Sequence, residues 1–224
     1  MFLKSMYKVV AFVFLSLFII SGSSLAFEPI TPIAQPLDIN KTQYYSGNNY
    51  DVNEFINGDL YCIGNNVTIN SSVNGDVLCA ASTIVINGTV NGNVRLFAST
   101  IQIQGLVSKN ATLVAQHATI EKTGKIVGDE TTATSSTRQN GQVGRDANVN
   151  TNNFEISGII GRDLNLNTES ISFIGDYKVG GTTTINSVVY DNFNNFQNTI
   201  QPTDSFDILG LLNALASAFM FVIG

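Results

Sequence analysis

The chain has 224 residues, 44% of them hydrophobic and only 12% charged, and its net charge is −6. So low a charge density, with no basic patch, argues against a nucleic-acid partner. The one histidine, His117, lies far from both cysteines, Cys62 and Cys79, so neither is placed as a catalytic nucleophile.

At the N-terminus, Lys4 and Lys8 precede an apolar run over residues 9–20 and a small-residue stretch ending at Ala26. Ser24 and Ala26 form the small-x-small pattern of export-signal cleavage, which predicts a signal peptide over residues 1–26 and an exported chain. The alternative is an uncleaved N-terminal anchor. Residues 27–45 carry a Pro-rich stretch and read as an extended linker. Residues 46–190 then read as one domain, and residues 43–56, with Tyr50, Val52 and Phe55, are expected to form an imperfect capping turn.

The domain is a repeat with a period of seventeen residues. Asn57-Gly58-Asp59, Asn74-Gly75-Asp76 and Asn91-Gly92-Asn93 open successive copies. Leu60, Cys62, Val67, Ile69 and Val73 in one copy correspond to Val77, Cys79, Ile84, Ile86 and Val90 in the next. Val94, Leu96, Ile101, Ile103 and Val107 follow, then Ala111, Leu113, Ala118, Ile120 and Ile126. Spacing of two places such pairs on one side of a strand, and no three-to-four spacing supports a helix. Stacked in register, the copies predict an all-β parallel solenoid, roughly triangular in section. Gly and Asn at the corners are expected to serve left-handed backbone angles.

An insertion at Thr123-Gly124 lengthens the fourth turn, after which Asp129, Asp146 and Asp163 resume the spacing. Residues 130–140 are polar at most inward slots and predict a weak rung or a local loop. Ala147, Val149, Phe154, Ile156 and Ile160 fill the next interior. Leu164, Leu166, Ile171, Phe173 and Tyr177 are assigned to the one after. About eight rungs at ~4.8 Å spacing make a stack on the order of 40 Å tall. The segments 44–55 and 188–196 are expected to cap its two ends. Residues 191–205 read as a polar stalk. Residues 206–224 read as a transmembrane or membrane-associated helix, because the stretch is apolar on every face. The alternative is a helix packed on the solenoid end.

Few residues offer chemistry. Cys62 and Cys79 stack on adjacent rungs at a separation that permits a disulfide, and both are equally readable as small core hydrophobes. The Asp row at 59, 76, 129, 146 and 163 lacks a calcium-binding nonapeptide and is interrupted by Asn93 and Asn110, so turn stabilisation is its expected role and no metal site is assigned. His117 is expected to face solvent. Glu121, Lys122 and Lys125 are the nearest approach to a charged cluster and fall in the insertion. No catalytic or cofactor-binding residue is assigned.

The stretch 74–90, Asn-Gly-Asp-Val-Leu-Cys-Ala-Ala-Ser-Thr-Ile-Val-Ile-Asn-Gly-Thr-Val, resembles the repeat of the bactofilins, the polymer-forming cytoskeletal family. The likeness covers residues 46–186 and is strongest over 57–107. It implies a right-handed β-helix that polymerises end to end through its terminal rungs without nucleotide, in a scaffolding role beside a membrane or cell wall. Usual members are cytosolic, whereas this chain is more similar to exported, membrane-anchored variants.

The expected function is therefore a non-enzymatic structural protein of the cell envelope, held at the extracytoplasmic face of a membrane by its C-terminal segment and able to self-associate through its ends. The alternative is a surface adhesin or binding module for glycan or protein, which ordered Tyr61, Arg95, Arg145 and Arg162 on one outer wall would favour. A third reading, a β-helix carbohydrate-active enzyme, requires a carboxylate cluster that the sequence does not show.

Overall fold

The computed structural model describes residues 41–190; the expected signal, most of the linker, the stalk and the C-terminal apolar segment lie outside them. The described residues form an all-β, essentially parallel solenoid. In chain order the strands are β1 (Gln43–Val52), β2 (Leu60–Ile69), β3 (Val77–Ile86), β4 (Thr89–Val90), β5 (Val94–Ile103), β6 (Leu106–Val107), β7 (Ala111–Ile120) and β8 (Lys125–Ile126). They continue as β9 (Glu130–Gln139), β10 (Gln142–Val143), β11 (Ala147–Ile156), β12 (Ile159–Ile160), β13 (Leu164–Phe173), β14 (Lys178–Val179), β15 (Thr183–Ile185) and β16 (Val188–Tyr190).

Eight of these strands are ten residues long and stack in one sheet, β1-β2-β3-β5-β7-β9-β11-β13, continued by β15 and β16. The two-residue strands stack in a second sheet of six. From β3 to β13 each rung has one long strand and one short one, and in the first two rungs the short strand is reduced to the single bridge residues Ile56 and Val73. The long strand hides a corner. In β2 the inward residues are the first, third and fifth, then the eighth and tenth. The alternation slips by one residue in between, and the sixth residue is skipped in every pairing of long strands (Asn65 on β2, Asn152 on β11). The strand bends there with its backbone bonding almost uninterrupted. Inside the bend sits a column of small residues, Gly64, Ala81, Ala98 and Ala115, that the apolar pattern does not reveal.

The period is seventeen residues except at two places. Ala111 pairs with Glu130 across a two-residue lengthening at the expected insertion, where the Gly124 amide donates to the Glu121 carbonyl at 2.8 Å. A second lengthening was not visible in the sequence: Leu164 pairs with Thr183, and Gly175 takes a φ of 65°. It moves the last interior slot from Tyr177 to Val179, which is buried, while Phe173 and Tyr177 pack half-buried against each other.

Three further expectations are corrected. The expected imperfect capping turn is a full rung, in which β1 pairs with β2 along its length. Of the two alternatives for residues 130–140, the local loop is ruled out: β9 is a regular strand with its polar residues turned inward. The corner glycines do not serve left-handed angles, since among the described residues only Gly175, Asn186 and Ser187 have φ in that region. They serve close approach between rungs: a Cβ on Gly105 would lie 1.9 Å from the Gly88 carbonyl oxygen.

Candidate functional site

The outer surface and the two ends are where this fold can meet a partner, because the interior is filled. The residue before each long strand forms a column of Asp59, Asp76, Asn93, Asn110, Asp129, Asp146 and Asp163. Each side chain accepts a hydrogen bond from the backbone N–H of the next rung's residue in that column, from Asp76 N–H on Asp59 Oδ1 at 2.8 Å to Thr182 N–H on Asp163 Oδ1 at 2.7 Å. The Asp row is therefore a backbone clamp running along the stack. Its carboxylates are engaged further by arginine: Arg95 with Asp76 at 3.3 Å, Arg145 with Asp129 at 2.6 Å, and Arg162 in a two-pronged pair with Asp146. The Arg162 hydrogen bond, helped by the Asp163 N–H, holds the Asp146 carboxyl below its ordinary range.

Asparagines form parallel ladders. Asn70 donates to Asn53 at 2.9 Å and accepts from Asn87 at 2.8 Å; Asn57, Asn74 and Asn91 repeat the pattern one corner along. Asn66 donates to Asn49 at 2.8 Å. Such stacked amides are the solenoid form of the side-chain ladders that stabilise in-register sheets.

Of the four residues expected on one binding wall, Tyr61 and Arg95 share the second column of the long strands, whereas Arg145 and Arg162 border the Asp clamp from its other side. All three arginines are ion-paired to the clamp. The exposed wall carries a different feature, which the inward pattern masked. Tyr44, Tyr61 and Leu78 in the second column and Ile63, Phe97 and Val114 in the fourth make an apolar strip on the outer face of the first five rungs. All are exposed except the half-buried Val114, and the Tyr44 and Tyr61 rings stack at 5.2 Å. Farther along, the same columns read Asn148, Asn150, Asn165 and Asn167. Large apolar residues out of phase with the core were the available signal.

The ends differ. At the first rung Tyr45 and Tyr50 turn inward and stack at 3.9 Å, closing the core over Cys62 and Val67. Burial is the main reason the Tyr50 hydroxyl titrates above its ordinary range. β1 remains the edge of the sheet among the described residues. At the other end the chain reverses. β16 returns antiparallel to β15 through Asn186 and Ser187, both with positive φ as a tight hairpin requires. Asn186 also caps the eighth rung, its side-chain amide accepting from Thr168 N–H and donating to the Thr168 carbonyl, each at 3.0 Å.

Cys62 and Cys79 are register partners on β2 and β3, with Cα atoms 4.5 Å apart and sulfurs at bonding distance. His117 is exposed, as expected, and Glu121, Lys122 and Lys125 border the first insertion. Among the described residues no group of three or more metal-ligating side chains occurs, and no helix is long and apolar enough to cross a membrane.

Among the described residues, one long strand fills all its inward slots with polar side chains. β9 directs Glu130, Thr132, Thr134, Thr137 and Gln139 into the core, all fully buried. Thr132 donates to Glu130 Oε1 at 2.6 Å, and Thr134 bonds both Thr137 at 2.6 Å and Thr151 of the next rung at 3.0 Å. Glu130 Oε2 and both amide atoms of Gln139 have no partner.

Comparison with protein-family models, with curated proteins and with solved structures finds no match to this chain.

Proposed function

We propose that this protein is a structural component of the cell envelope: a bactofilin-like, right-handed and roughly triangular β-helix, exported and tethered to a membrane by its C-terminal segment. The observation that carries this reading is the outer clamp. The arginines and clamp carboxylates of the surface are bonded along the stack, rung to rung, so these polar groups serve stiffness. An enzyme of this architecture would instead converge carboxylates on a substrate groove.

Assembly proceeds end to end in this proposal, and the two ends do not contribute equally. Among the described residues β1 is the edge strand of the long sheet, the kind of surface that recruits another strand. The β15–β16 hairpin and the Asn186 amide close part of the opposite end. Electron microscopy of the full chain over a range of concentrations tests the proposal. Filaments with a rung-scale axial repeat support it. Single rods at every concentration refute polymerisation and leave a monomeric spacer.

The apolar strip favours a second reading, a surface module that holds another protein or a glycan, because a contiguous exposed apolar patch marks an interaction surface. Replacing Tyr61 and Phe97 with Ser separates the two. A scaffold built through its ends still assembles, whereas an adhesive wall loses its partner.

A further inference from the structure

Beyond the terminal first rung, where Gln43 stands in the first slot, every rung but one has an apolar residue or a small polar one there. The first column reads Leu60, Val77, Val94, Ala111, Glu130, Ala147, Leu164 and Thr183. A glutamate with 0% exposure stands in the sixth rung, and its two register neighbours, Ala111 and Ala147, are the smallest residues of that column. The gap they leave accommodates a side chain longer than leucine.

The groups around this carboxyl are uniform. On β7 the inward residues beside it are Ala111 and Leu113; on β11 they are Ala147 and Val149; the short strands β8 and β10 contribute Ile126 and Val143. Its own strand contributes Thr132. None of these titrates or carries charge. Asp129, Arg145 and Asp146 belong to the outer clamp and are paired there, Arg138 on the same strand points outward and pairs with Glu155, and Lys125 is exposed.

We propose that Glu130 is a buried proton-binding site that makes the sixth rung the pH-dependent opening point of the solenoid. With its proton on, the carboxyl is a neutral hydrogen-bonding group and the stack is continuous. With the proton lost, a carboxylate holding one hydroxyl bond and no counter-charge sits in an apolar layer, a costly state that rung opening relieves by admitting water. The rung is the right place for such a weakness, since Gln139 already leaves two buried amide atoms unpaired at the far end of the same strand. Opening there separates five N-terminal rungs from the C-terminal ones.

Burial pushes this carboxyl up from 4.5 to about 7, against the lowering effect of the Thr132 bond. A raised value in the closed state means that the stabilisation is complete below about 4.5 and lost as pH rises toward 7. Across that window the opening equilibrium of the rung grows on the order of 10²-fold.

Hydrogen exchange on the full chain from pH 4.5 to 8.5, corrected for intrinsic exchange rates, reads this directly. Amides of β9 are expected to lose protection on the order of 10²-fold relative to β3 in the wild type, and Glu130→Gln is expected to abolish the difference. Identical pH profiles for the two proteins overturn the proposal. Carboxyl carbon NMR of the wild type provides a readout independent of whether the variant folds. A Glu130 midpoint near 7 supports the buried proton site, and one below 5 refutes it.

Discussion

At the residue scale, the repeat assigns one task to each position, and the tasks are visible in what fills the column. Glycine recurs at the corners because the backbones of successive rungs nearly touch. Gly88 and Gly105 are stacked on one another, and the Cβ of an alanine at 105 would meet the Gly88 oxygen at 1.9 Å. Relief requires the rungs to separate locally, breaking the Gly105 N–H bond to the Ile86 carbonyl at 2.9 Å. Gly105→Ala is expected to cost about 3 kcal/mol, the upper range for overpacking, read as a lowered urea midpoint. Asparagine at the corners has the complementary role. Its amide donates to the same residue one rung back, so Asn66, Asn70 and Asn87, which also match the glycosylation acceptor pattern, have their amide nitrogens engaged in ladders.

At the scale of the element, the sixth rung shows how far β pairing can carry an unsuitable interior. The polar composition of residues 130–140 left a weak rung or a local loop open, and the backbone pairs on both sides as a rung. Flanking rungs impose the register on β9, and threonines fit their size to the slots and satisfy one another. Gln139 gains no such compensation. It occupies the tenth column, where Ile69, Ile86, Ile103, Ile120 and Ile156 stand in other rungs. Gln139→Ile removes two unpaired buried polar atoms and restores the ladder. The expected outcome is a gain of about 2 kcal/mol, measured by chemical denaturation, with the largest rise in exchange protection on β9.

At the scale of the whole molecule, two sets of carboxyls titrate in opposite directions. The clamp carboxyls of Asp76 and Asp146 lie below their ordinary value of 3.8. For Asp76 the partial burial that raises it is outweighed by bonds from Asn93 and Arg95; for Asp146 the Arg162 bond leads. Their contribution is present above pH 3.8 and is lost as pH falls through the depressed values. Glu130 has the reverse sign, its contribution declining between about 4.5 and 7 by about 3 kcal/mol. Urea denaturation at a series of pH values is therefore expected to give maximal stability near pH 4 to 5, with a fall on each side. Glu130→Gln should flatten the upper limb alone.

The seventeen-residue period, the parallel solenoid, the identity of nearly every interior slot from Leu60 to Ile171 and the stacking of Cys62 on Cys79 were all legible in the sequence. Such a fold repeats one local rule, and a residue's inward or outward direction follows from its offset in the repeat. Tertiary structure alone decided the rest. The corner inside each long strand, the Gly64 to Ala115 column and the close approach at the glycines depend on distances between rungs, which a one-dimensional pattern does not contain. The second insertion shifted Tyr177 from the slot that Val179 fills, because only pairing to the preceding rung reveals where two residues loop out. Glu130 was readable as a polar residue in an inward slot. That it stays there, folded into a rung and without a charge to meet it, follows from the strength of the pairing on either side.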